Sequence, residues 1–179
     1  MTFLENWEQI CQGVTGLPIS VYRSRDVSVA RAVAPYAVAV NPRLRRWPAA
    51  RAAAALVHEC GHILWTWPAW TDDHARVVRS WPARARDILN VLEDRRVESA
   101  LAEAGWTCEP LRAWVTANEV GHGLQRGWTP AGALAVAWGA GSDAVPRPWR
   151  AWVEAVWGVP LRTLDDALIL AEAADRERP

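Results

Sequence analysis

The stretch AAAALVHECGHILW, from Ala52 to Trp65, constrains this chain more than any other. Its alanine, leucine, valine and isoleucine have the composition of a buried helix, yet Glu59 stands in its middle between His58 and His62. A carboxylate buried without a partner costs several kcal/mol. The fold must therefore bring something to this segment that repays the charge. His58 and His62 are four residues apart, so on a helix their rings share one face about a turn apart, close enough to hold a single ion. Zinc suits a pair of imidazoles, and Glu59 then falls beside the ion, where a carboxylate can take a proton from bound water. Gly61 leaves room for another part of the chain to come close. Cys60, about 200° round the helix from His58, points away from the ion and belongs to the core.

Two histidines leave a zinc ion in need of a third protein ligand. Position 68 is Pro68, so no third histidine follows at the spacing of the extended motif, and the remaining histidines are His74 and His122. The acidic run LNVLEDRRVE at 89–98 is the better source. At about 100° per residue, with Leu89 at zero, Glu93 falls near 40° inside the apolar face, Asp94 near 140° at its edge, and Asp87 and Glu98 near 160° and 180° on the far side. Glu93 is the expected third ligand, with Asp94 as its rival. His122 and His74 remain weaker alternatives, and Glu98, on the opposite face, is expected to matter little unless it braces the site from outside the ligand set. Arg96 is placed to brace Glu93, or, if Glu93 binds no metal, to form a helix-surface ion pair with it, and Asn90 to make an outer hydrogen bond.

Around this centre the periodicity predicts an α+β, mostly helical fold. A helix from Phe3 to about Gln12, with Thr2 and Glu5 at capping-box spacing, precedes short strands at 17–24 and 36–42. The motif helix runs from near Pro48 to about Trp65, and the acidic run lies on a helix at 82–105. Further helices are expected at 110–121, 130–139, 147–157 and 163–176. A chain of 179 residues fits one domain, with a catalytic core at about 17–105 and a helical extension at 106–179. Twenty basic residues, all arginine, balance twenty acidic ones, which argues against a nucleic-acid or membrane partner. Thirteen tryptophans against one Phe suggest that indoles fill core space. Cys11, Cys60 and Cys108 form no CxxC pair, and the N-terminal residues lack a signal-peptide pattern, so a cytoplasmic protein is expected.

A short strand pair, an HExxH helix and a glutamate on the following helix resemble the gluzincin class of zinc metallopeptidases in minimal form. NVLEDRRVE is also similar to a segment of predicted metallopeptidase-like proteins, including relatives of the cobaltochelatase large-subunit class that accompany von Willebrand A domains. The likeness covers about residues 17–100. It implies a small zincin-like domain whose sheet packs on the HExxH helix, with His58, His62 and Glu93 as zinc ligands and Glu59 as general base. It also implies that YAVAVNP lies along the cleft as the edge to which an extended peptide adds.

The expected function is that of a zinc-dependent hydrolase acting on a peptide or protein; the alternative is a metal-binding or regulatory module without catalysis. Protein purified without chelator should carry about one zinc ion per chain, the complement of a single catalytic site. His58→Ala and His62→Ala should each lose it, as read by metal analysis. Full occupancy in both variants would remove the site.

Overall fold

A computed structural model describes residues 3–33 and 36–178, so Thr2 and the cap assigned to it lie outside the described residues. The fold is α+β and mostly helical, with eight α-helices and a three-stranded sheet among the described residues. The chain groups into two compact units. One runs to Ala69 and takes in Val97–Leu111; the other holds Trp70–Arg96 and the chain from Arg112 onward.

In the first unit, α1 (Phe3–Thr15) buries Trp7 and Cys11, four residues apart on one stripe. Three strands follow: β1 (Ser20–Arg23), β2 (Ala30–Val33) and β3 (Ala37–Val40). Their order is β1-β3-β2, with β1 parallel and β2 antiparallel to β3. This corrects the reading of YAVAVNP as an edge, because β3 is paired on both sides. The free edge on that side of the sheet is β2, which sequence reading took for a connection. Four residues of mixed burial carry too little alternation to declare a strand; the ladder to β3 makes it one.

Asn41 then caps a 3-10 turn at Pro42–Arg46 by accepting a hydrogen bond from the Arg43 N–H, with Pro42 at the first position. Helix α2 (Ala49–Gly61) begins directly after Pro48. Its regular turns stop at Gly61, and a wider π turn covers His62–Thr66, closed by the Trp67 N–H bonding the His62 carbonyl at 2.9 Å. Single π turns within helices are frequent at functional sites. Here the second histidine stands at the junction.

The second unit contains α3 (Asp72–Ser80), α6 (Pro130–Ala140), α7 (Arg147–Trp157) and α8 (Leu164–Glu177). Helices α4 (Ala83–Glu103) and α5 (Glu109–Arg126) each contribute to both units. Helix α3 was not foreseen. It is amphipathic and opens with a capping box in which Thr71 and His74 bond each other's backbone N–H groups. Ile88, Leu92, Leu134, Val136, Val153, Ala167 and Ala171 form the centre of this unit's core. Trp70, Trp81, Trp128, Trp149 and Trp157 pack partly buried around it, so most of these indoles enclose the core instead of filling it. No helix among the described residues is long and apolar enough to cross a membrane.

The first unit's smaller core joins Val57 of α2 to Val97 and Leu101 of α4 and to Cys108. Gly61 permits this contact. A Cβ at that position would strike Val97 Cγ1 and stand 2.8 Å from Leu101 Cδ1, nearer than packed side chains tolerate. Gly61→Ala should therefore lower the unfolding free energy by about 1–3 kcal/mol, the usual cost of overpacking, measured from the denaturant midpoint. A variant as stable as the parent would show that α4 can retreat without loss.

Candidate metal centre

The site begins with the two imidazoles of α2 and the π turn. His58 Nδ1 lies 2.9 Å from Glu98 Oε1, and His62 Nδ1 lies 2.9 Å from Thr66 Oγ1. The other nitrogens face each other, Nε2 to Nε2, at 3.2 Å. A carboxylate partner requires a proton on His58 Nδ1, which leaves a lone pair on its Nε2. His62 Nε2 meets that lone pair either through its own proton or, in the tautomer whose Nδ1–H donates to Thr66, across a gap that suits a cation. Two ligand atoms at about 2.0–2.1 Å from one tetrahedral zinc stand about 3.3 Å apart. The observed 3.2 Å is that span.

Within the first unit, His58, Glu98 and Cys108 have ligand atoms within 4.8 Å of one another. His58 Nδ1 is already engaged with Glu98. Glu98 therefore fits best as the outer carboxylate that holds a metal-binding imidazole in one tautomer and orientation.

Glu93 is already engaged. Its two oxygens accept hydrogen bonds from Arg96 Nε and Nη2 at 2.7 and 2.6 Å, and both residues are buried. The brace expected from Arg96 is present, and it takes hold of both oxygens. Asp94 lies about 100° round the helix from Glu93.

Sequence reasoning placed Glu98 on the wet side of α4, yet it is 5% exposed. The helical wheel assumed one apolar and one solvated face. Near Glu98 the helix is enclosed on more than one side, with Glu93, Arg96, Val97, Glu98 and Leu101 all buried. A better signal was the motif itself, since a metal-binding histidine usually gives its second nitrogen to a carboxylate.

Glu59 faces the sheet. Its Oε2 accepts the Ala32 backbone N–H at 2.6 Å. In the antiparallel pairing of β2 with β3, the bond from Asn41 N–H to the Val29 carbonyl marks 29 and 41 as a bonded pair. Bonded pairs alternate, so Arg31 and Val33 continue the ladder while Ala30 and Ala32 turn their backbone groups outward. Glu59 thus sits at the free edge of the sheet.

The remaining candidates lie apart. His74 Nδ1 accepts from Thr71 N–H in its cap and its Nε2 meets Asp165 at 3.0 Å. His122 is exposed on α5, 3.8 Å from Glu119, and Asn90 is exposed. Cys60 is fully buried, as its place on the helix predicted. Its contact with Cys11 and its burial hold the thiol far above the ordinary range, so it stays protonated. No protein family, curated protein or solved structure matches the chain at a significant level.

Because Glu98 holds the His58 tautomer, Glu98→Ala should weaken zinc affinity by roughly 10- to 100-fold, the usual effect of losing an outer carboxylate. Zinc titration against a competing chelator reads this directly. Unchanged affinity would reduce Glu98 to a packing residue.

Proposed function

We propose that the chain is a zinc-dependent hydrolase of zincin-like, gluzincin-type fold acting on peptide bonds, with His58, His62 and Asp94 as metal ligands and Glu59 as general base. The observation that carries this reading is the pair of Nε2 atoms 3.2 Å apart, with each Nδ1 held by its own partner. Asp94 replaces Glu93 as the preferred third ligand because Arg96 already grips Glu93. The set of two imidazoles and one carboxylate fits zinc and leaves a fourth position for water. Bound there, the ion would supply polarisation of the water and of the scissile carbonyl.

The chain's own residues account for the remaining chemistry. Glu98 keeps the proton on His58 Nδ1, so that His58 Nε2 stays a donor of electrons. Thr66 orients His62 in the same way. Glu59 takes the proton of the attacking water on its carboxylate and delivers it to the leaving amine. Its place at the outward edge of β2 also suits a peptide substrate, because an extended chain laid along that edge passes beside Glu59. The three cysteines are free and buried, in keeping with the reducing conditions of the cytoplasm.

The bond from Ala32 to Glu59 also favours a second reading, in which Glu59 only stitches α2 to the sheet and the chain is a metal-binding module without catalysis. Glu59→Gln separates the two. A glutamine carbonyl still accepts the Ala32 N–H but cannot take a proton. The variant should keep its zinc and its stability while hydrolysis of a mixed peptide library falls by about 10² or more. Equal activity in the variant would reassign the base, and no cleavage by the parent protein would leave the binding module.

A further inference from the structure

The end of the sheet beside Glu59 carries an imbalance of charge that the neutral chain as a whole conceals. Between Ser20 and Trp47 there are six arginines, at 23, 25, 31, 43, 45 and 46, against the single acid Asp26. All six are exposed. Elsewhere arginines meet carboxylates: Arg76 pairs with Asp73, Arg84 and Arg178 with Asp175, and Arg176 with Glu172. None of these six makes an ion pair among the described residues, and Asp26 bonds the Ser24 hydroxyl within its own turn.

The topology gathers them. Arg23 is in register with Val40, and Val40 with Ala30, so β1 and β3 end where β2 begins. The segments 24–29 and 41–47 both leave from that end. Asn41 ties them together, donating through Nδ2 to the Val27 carbonyl at 2.8 Å and accepting from Arg43 N–H at 2.9 Å. Between them lies an open depression of about 490 Å³ lined by Arg25, Asn41, Pro42 and Arg43. The guanidiniums therefore project from a backbone that is already braced, which limits the ordering cost of binding. Ala30, at this end, is two residues from Ala32, whose N–H holds Glu59; along a strand that is about 7 Å.

We propose that this surface selects an acidic polypeptide, whose carboxylates meet the arginines while its backbone runs along β2 past Glu59. The proposal rests on the hydrolase reading for what happens to the bound chain, and on charge complementarity for which chain is bound. A polypeptide fits better than a nucleic acid because the outward backbone groups of β2 adjoin the arginines, and only a peptide backbone can continue that ladder.

The test uses full-length Glu59→Gln protein, which binds without turnover. Fluorescence anisotropy compares a labelled peptide of alternating Glu and Ala with its Gln-for-Glu counterpart and with an oligothymidylate of equal charge. The Glu peptide should bind at least about tenfold more tightly than the Gln peptide at low salt. The preference should shrink as salt shortens the screening length to about 10 Å near 0.1 M. Adding Arg25→Gln and Arg43→Gln should weaken the Glu peptide by roughly 2- to 30-fold, the range for two exposed charge pairs. Equal binding of the two peptides, or an unchanged preference in the double variant, would overturn the proposal. So would tighter binding of the oligothymidylate. An acidic peptide that binds yet is never cut by the parent protein would support this surface and overturn the hydrolase reading instead.

Discussion

Helix α4 meets α2 at Gly61, the one residue of α2 without a side chain, and the candidate centre depends on that approach. Val97 and Leu101 occupy the space a Cβ would need. Glu98, between them in sequence, is thereby brought to 2.9 Å from His58 Nδ1. A larger residue at 61 would push α4 outward and lengthen the hydrogen bond that sets the His58 tautomer. Packing and chemistry are coupled here through a single missing methyl group.

The same helix shows how buried charge is handled. Removing one member of a buried pair costs about 3–5 kcal/mol, because the other is left uncompensated. Within six residues α4 carries Glu93, Asp94, Arg96 and Glu98, and the structure separates their tasks. Glu93 and Arg96 satisfy each other three residues apart with a bidentate contact that stabilises the helix from within. Glu98 serves His58. A carboxylate already held by a guanidinium is a poor metal donor, because coordination would have to compete with two short charged hydrogen bonds. Asp94 has the advantage over its neighbour for this reason.

Both outer strands of the sheet have an outward N–H taken by a carboxylate: Val21 by Glu8 at 3.0 Å and Ala32 by Glu59 at 2.6 Å. An unpaired strand edge invites association with other chains, and side-chain capping is one way to blunt it. The cap on β1 comes from α1 and is structural. The cap on β2 comes from the residue proposed as base, so a peptide that claimed the Ala32 N–H would also free Glu59. Edge protection and access to the base are then alternatives decided by the same hydrogen bond.

The sequence by itself determined the helical frame, the strands at 20–23 and 37–40, the pairing of His58 with His62 on one face, and the inward place of Cys60. Each follows from local period or from the spacing of a few residues along one element. It also marked the acidic run as the place to look for a further ligand. Only the tertiary structure decided which carboxylate does what. The helical wheel ranks residues by angle against an assumed solvent side, and near Glu98 the exposed side of α4 lies at Ser99 and Ala102 instead, so the wheel sent Glu98 outward and Glu93 to the centre. Likewise β3 became central and β2 the free edge through hydrogen bonds between segments, which no pattern within either segment encodes. Local physics fixes which residues can share a face; what faces them depends on neighbours that arrive from elsewhere in the chain.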